Sequence, residues 1–153
     1  MKVACKLYFA EIAFTAYLKV ADGCDNCCTY CAIPAIRGRM RSRTIEDCVK
    51  EAKHLAKNGV KELIVVAQDT TAYGTDIYGK PMLCELLKEL CKIEELVWIR
   101  TLYTYPERIT DELLDLMASE EKLVKYLDMQ IKHINGDILK KMNRKGNKES
   151  ITA

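Results

Sequence analysis

Short runs of apolar residues alternate along this chain with longer stretches in which apolar residues recur every three or four positions. The first pattern suits strands buried in a sheet and the second suits amphipathic helices. Tyr17–Val20 reads as a first strand, ended by Asp22-Gly23, and a long loop runs from Cys24 to Met40. Thr44–Lys57 then reads as a helix with Ile45, Val49, Ala52, Leu55 and Ala56 on one face. Ser42 or Thr44 serves as its cap, Asp47 lies three residues beyond Thr44, and Asn58-Gly59 stops it. The second unit is a strand, Glu62–Ala67, whose Leu63-Ile64-Val65-Val66 core suits burial on both faces. A loop, Gln68–Lys80, leads to a helix over Met82–Lys92 with Pro81 placed for its first turn. The third unit is Val97–Leu102 and a helix over Thr110–Ser119, with Thr110 as cap and Asp111 and Glu112 at the positive end. The fourth is Lys125–Ile131 followed by a helix from about Asp137 to Met142.

Four consecutive β/α units predict parallel strands joined by right-handed crossovers, an α/β fold that is either doubly wound or a partial barrel. No G-x-G-x-x-G follows the first strand, which counts against dinucleotide binding. In either fold, ligands sit at the C-terminal ends of the strands. The Cys24 loop, Gln68-Asp69, Tyr103–Tyr105 and Lys132-His133 all fall at such ends, with His133 read as packed or solvated. The 153 residues suffice for one cored domain, preceded by an irregular leader over residues 1–16. The formal charge of +2 makes no case for nucleic acid or an anionic membrane. No apolar run approaches the roughly 20 residues of a spanning helix, and the first residues do not read as a signal peptide. Lys140, Lys141, Arg144, Lys145 and Lys148 read as a solvated helix end, and RNA binding is not expected because no aromatics interleave with them.

Eight cysteines change this picture. Cys5, Cys48, Cys84 and Cys91 are scattered, and those in helices read as small buried hydrophobes. Cys24, Cys27, Cys28 and Cys31 are clustered. Without an export signal, that distribution fits a reducing cytosol and one metal site better than a disulfide framework. Two ligand sets compete. All four would make a zinc tetrathiolate, but the two C-x-x-C pairs abut, and neighbours Cys27 and Cys28 tend to point apart. The alternative is C-x-x-x-C-x-x-C, in which Cys24, Cys28 and Cys31 hold three irons of a 4Fe–4S cube and leave the fourth open to a ligand.

C-x-x-x-C-x-aromatic-C in the loop after a first β/α strand resembles the radical S-adenosylmethionine superfamily. Tyr17–Asn26, Ile33-Pro34, Arg37-Gly38 and Arg41-Ser42-Arg43 resemble its methylthiotransferases. Glu62–Thr71, Tyr73-Gly74, Trp98-Ile99-Arg100, Tyr105-Pro106, Tyr126-Leu127-Asp128 and Lys140–Arg144 resemble the branch that modifies an aspartate of a small-subunit ribosomal protein. The resemblance implies a partial (β/α) barrel of the radical-SAM type over residues 17–153, about four units long. It implies a 4Fe–4S cluster on Cys24, Cys28 and Cys31, with S-adenosylmethionine as the second cofactor. Tyr30 is expected near the adenine, and Gln68 and Asp69 near the cofactor's polar end. A small-subunit ribosomal protein is the implied substrate, and a reductant protein such as flavodoxin or ferredoxin the implied electron source. The family's N-terminal second-cluster domain and C-terminal β-barrel have no counterpart in the sequence, so the expectation is a truncated domain that binds a cluster without completing methylthiolation. The competing readings are a transfer-RNA methylthiotransferase of the same family and a non-catalytic zinc module. Cys27 stands where a basic residue is usual, and Gln130 and Lys132 replace a Pro and a Gln, so that Lys132 alters the charge at a strand end.

Overall fold

The computed structural model describes residues 14–146. Most of the expected leader, Cys5 and Lys148 therefore lie outside the described residues. The central element is a three-stranded parallel sheet in the order β1-β4-β5, formed by Thr15–Lys19, Glu62–Val66 and Trp98–Thr101. Its register aligns Leu18 with Val65 and Val65 with Thr101, so all three strands end at one level. A two-stranded antiparallel hairpin, β2 (Ala21–Asp22) with β3 (Arg41–Ser42), closes the base of the cysteine loop. That loop carries a short helix, α1, at Ile33–Arg37.

The three longer helices follow the expected periodicity. In α2, Ile45–Lys57, Cys48, Ala52, Leu55 and Ala56 are buried, and the Asp47 N–H donates to Thr44 Oγ1 at 3.2 Å. In α4, Leu83–Cys91, the buried face is Leu83, Cys84, Leu86, Leu87 and Leu90. In α5, Asp111–Ser119, the Leu113 N–H donates to Thr110 Oγ1 at 3.3 Å, as a cap should. These helices cover one face of the sheet, where Leu18, Leu63, Val65 and Ile99 are almost wholly buried. Burial of each such side chain contributes roughly 1.5–3 kcal/mol. The other face carries Tyr17, Glu62 and Arg100, and Arg100 pairs with Glu62 at 2.9 Å. No helix among the described residues is long and apolar enough to cross a membrane.

Three expectations need correction. Lys125–Ile131 does not form a strand: it makes one isolated parallel bridge, Thr104 with Met129, and a second, Ile99 with Leu123, falls just before it. A tight turn interrupts it, the Tyr126 N–H donating to the Val124 carbonyl at 2.7 Å, while Lys125 Nζ caps the C-terminal carbonyls of α5. Its helix, α6 (Gly136–Lys141), is present and is capped by Asn135. Pro81 lies outside α4, because Met82 occupies the cap position. The loop Gln68–Lys80 also contains a 3₁₀ turn, Thr70–Ala72, and a short helix, α3 (Thr75–Tyr78), both too brief to show periodicity.

Burial pushes the thiols of Cys48, Cys84 and Cys91 up from 9.0 to about 11. Folding thus keeps protons that the unfolded chain releases, so stability is intact below pH 9 and falls as the pH rises from there through about 11. Urea melts of the chain at pH 7.5 and pH 10 are expected to give a lower midpoint at pH 10, and Cys48→Ala to show a shallower decline.

Candidate functional site

The cysteine loop is shaped by close backbone approaches. Gly23 has φ 80°, and a Cβ there would lie 2.2 Å from the Arg39 carbonyl oxygen, so no other residue fits. The Cys24 N–H donates to the Gly38 carbonyl at 3.2 Å, and the Met40 N–H to Asp25 Oδ1 at 3.2 Å, which brings the two ends of the loop together. Cys27 adopts the left-handed conformation, φ 50°. That turn separates the two neighbouring thiols: Cys27 is exposed, whereas Cys28 faces inward with Cys24 and Cys31. The Cys31 N–H donates to the Cys28 carbonyl at 3.0 Å, fixing the spacing of the second and third cysteines.

Cys24, Cys28 and Cys31 line one wall of a cavity of about 540 Å³ at the C-terminal ends of the strands. Volumes of this order hold small organic ligands. Tyr30, Gln68 and Asp69, all singled out by the sequence, line it too, as do Tyr103, Tyr105, Gln130, Lys132 and Arg144. His133 does not; its ring Nδ1 accepts from the Asn135 N–H at 2.8 Å at the exposed start of α6. Among the described residues no group of three or more His, Cys, Asp or Glu side chains is gathered tightly enough to hold a single metal ion. Burial pushes the Cys24 thiol up, opposed by the Asn26 N–H on its sulfur, with nearby Asp69 adding to the rise.

The two polar residues ending β4 differ sharply. Asp69, 4% exposed, is fully engaged: it accepts from Asn26 Nδ2 at 2.8 Å, Thr71 Oγ1 at 2.6 Å, the Ala72 N–H at 3.2 Å and the Arg108 guanidinium. Arg108 also donates to Asn26 Oδ1 at 2.8 Å, which closes a triangle of side chains from three loops. Gln68 is free, and its buried Oε1 has no hydrogen-bond partner among the described residues. Leaving a buried acceptor without a donor is costly.

Arg144 corrects another expectation. It is not part of a solvated helix end but is only 8% exposed, its guanidinium 3.9 Å from the Tyr105 ring centroid. It donates to the Gln130 carbonyl at 3.1 Å and to the Tyr30 hydroxyl at 3.5 Å. Burial raises the Tyr30 hydroxyl above its ordinary value. Asn26, Arg108 and Arg144 are the residues that sequence reasoning missed as parts of the site. Asn26 and Arg144 lay inside quoted motifs, but nothing in periodicity or spacing marks Arg108.

A parallel β/α sheet with three cysteines of a C-x-x-x-C-x-x-C loop on its ligand-binding end is the arrangement of a radical S-adenosylmethionine domain, and the chain belongs to the Radical SAM superfamily, whose family model matches residues 18–153. Among individual proteins, it is 59% identical over 137 residues to the ribosomal protein uS12 methylthiotransferase RimO of Clostridium tetani and 58% identical over 136 residues to that of Alkaliphilus oremlandii. Those alignments cover 90% and 89% of this chain but only 31% of each relative, so the chain spans about a third of the length of the relatives it matches. The fold also matches TsrM of Kitasatospora setae, a radical S-adenosylmethionine methyltransferase solved with cobalamin and a 4Fe–4S cluster, with a TM-score of 0.67 at 18% identity, over 89% of this chain and 27% of that one. At that identity the likeness concerns the fold alone.

Replacing Arg108 by Met strands the buried Asp69 carboxylate without its cation. The expected cost is about 3 kcal/mol in urea denaturation, because an uncompensated buried charge is the expensive product. Adding Asp69→Asn to Arg108→Met is expected to recover part of that loss.

Proposed function

We propose that this chain is the cofactor-cleaving part of a methylthiotransferase that acts on an aspartate of ribosomal protein uS12. The observation that carries the reading is the placement of Cys24, Cys28 and Cys31 together in a cavity at the strand ends that Tyr30 and Gln68 also line. The donor set fits: three inward thiols suit a 4Fe–4S cluster with one iron left open, and Cys27 faces solvent, away from a fourth-ligand position. Family membership and identities of 54–59% to uS12 methylthiotransferases support both the cofactors and the substrate. With the cluster and S-adenosylmethionine bound, the chemistry supplied is one-electron cleavage of the cofactor to a carbon radical able to take hydrogen from an unactivated carbon.

The chain's own residues bind and orient. Cys24, Cys28 and Cys31 hold the cluster as thiolates, which requires that the raised Cys24 thiol give up its proton on ligation. Tyr30 flanks the cavity as a wall for the adenine. Gln68, which lines the cavity, offers its side-chain amide to the cofactor's polar end. Asp69, saturated by Asn26, Thr71, Ala72 and Arg108, positions the cysteine loop instead of touching the cofactor. Lys132 adds positive charge at the rim. The electron comes from a reductant protein of the flavodoxin or ferredoxin kind. Seven free cysteines among the described residues suit a reducing cytoplasm.

Anaerobic reconstitution with iron and sulfide tests this reading. Iron close to four per chain is expected, with a reduced-state EPR signal that S-adenosylmethionine perturbs. Both should vanish in the Cys24/Cys28/Cys31→Ala triple variant and persist in Cys27→Ser. Gln68→Ala should keep the iron and weaken S-adenosylmethionine binding about ten-fold, the loss of one buried hydrogen bond. Failure to bind iron, or zinc held equally well by the triple variant, would overturn the proposal.

A further inference from the structure

The cysteine loop has a second anchor, separate from the Asp69 triangle. Cys27 (φ 50°) and Asn143 (φ 51°) both adopt the left-handed conformation, and they are joined, Asn143 Nδ2 donating to the Cys27 carbonyl at 2.8 Å. Two residues on, the Thr29 N–H donates to the Met142 carbonyl and Thr29 Oγ1 to the Lys141 carbonyl, each at 3.2 Å. Arg144 then reaches the Tyr30 hydroxyl. The end of α6 thus grips Cys27, Thr29 and Tyr30 in succession, on either side of Cys28.

The match is reciprocal. The last carbonyls of a helix lack intrahelical donors, and Thr29 supplies two of them to α6. The left-handed region is sparsely populated by residues other than glycine and persists only where the surroundings over-determine it; asparagine tolerates it best. Cys27 has no such tolerance, so its conformation is held from outside. Among the described residues, the one side-chain donor on its carbonyl is Asn143. Without that turn Cys28 would not be directed away from Cys27 and into the cavity.

We infer that the 141–144 turn is a clasp that positions the cluster ligands, with Asn143 fixing the left-handed turn at Cys27 and thereby aiming the Cys28 thiol, and with it Cys31, at the cavity. The inference rests on the reading of these cysteines as cluster ligands. Asn143 is a positioning residue, acting through Cys27 and Cys28.

Two measurements on the 153-residue chain test it. In the reduced apo form, hydrogen–deuterium exchange is compared between the parent and Asn143→Gly, which keeps the left-handed backbone but loses the donor. Exchange over residues 28–31 is expected to rise about five-fold, the factor that one lost hydrogen bond amounts to, with β4 and α2 unchanged. After anaerobic reconstitution, iron loss in air is followed by bleaching and should also quicken about five-fold in Asn143→Gly. Thr29→Val should act in the same direction, and Thr29→Ser, which keeps the hydroxyl, should restore the parent behaviour. Parent-like exchange overturns the clasp. Faster exchange spread equally over β4 and α2, or faster exchange with unchanged bleaching, overturns the positioning role. If the parent binds no iron, the proposed function fails, while the exchange measurement still decides whether the clasp exists.

Discussion

The Asp69 carboxylate organises the ligand-binding end of this molecule. Burying an ionised group is expensive unless it is both paired and hydrogen-bonded, and Asp69 is given donors from three directions. Asn26 comes from the cysteine loop between β2 and β3, Thr71 and Ala72 from the loop after β4, and Arg108 from the segment after β5. One desolvated charge therefore fixes the relative positions of three loops that the parallel register merely brings to the same level. Within residues 24–40 only Met40 is buried, and α1 buries nothing, so the loop's placement depends on this polar network.

The two ends of the sheet do different work. Behind it, α2, α4 and α5 pack an apolar layer whose side chains need only fill space. At the C-terminal end the structure holds its unusual backbone: Cys27, Tyr103 and Asn143 all have positive φ without being glycine. Each is backed by a hydrogen bond from a distant segment, as when the Tyr103 N–H donates to Asp128 Oδ2 at 3.1 Å. Strain of this kind is sustained by the packed layer beneath it.

The apolar layer was the legible part. Helix caps at Thr44 and Thr110 and the buried core of Glu62–Val66 followed from periodicity and cap chemistry, because local signals govern them. Cys24, Cys28, Cys31, Tyr30, Gln68 and Asp69 line one cavity, and it was the family resemblance, more than spacing alone, that pointed to them as a group. What escaped was non-local. The role of Asp69 depends on Arg108, thirty-nine residues away, and that of Arg144 on the Tyr105 ring. Lys125–Ile131 has the composition of a strand, but Lys125 is drawn to the end of α5 and Tyr126 turns back on Val124. Tertiary hydrogen bonding there overrides a β propensity that single residues only weakly express.

The contact between Asn143 and Cys27 spans 116 positions of sequence. A ribosome delivers the chain from its N-terminus, and early segments collapse before late ones exist. Cys27 therefore leaves the ribosome more than a hundred residues before the asparagine that holds its turn. During synthesis the thiols of its loop are present without their final geometry, exposed to any metal or oxidant at hand. The inward arrangement of the thiols thus waits for residue 143, and until then their protection falls to the surroundings.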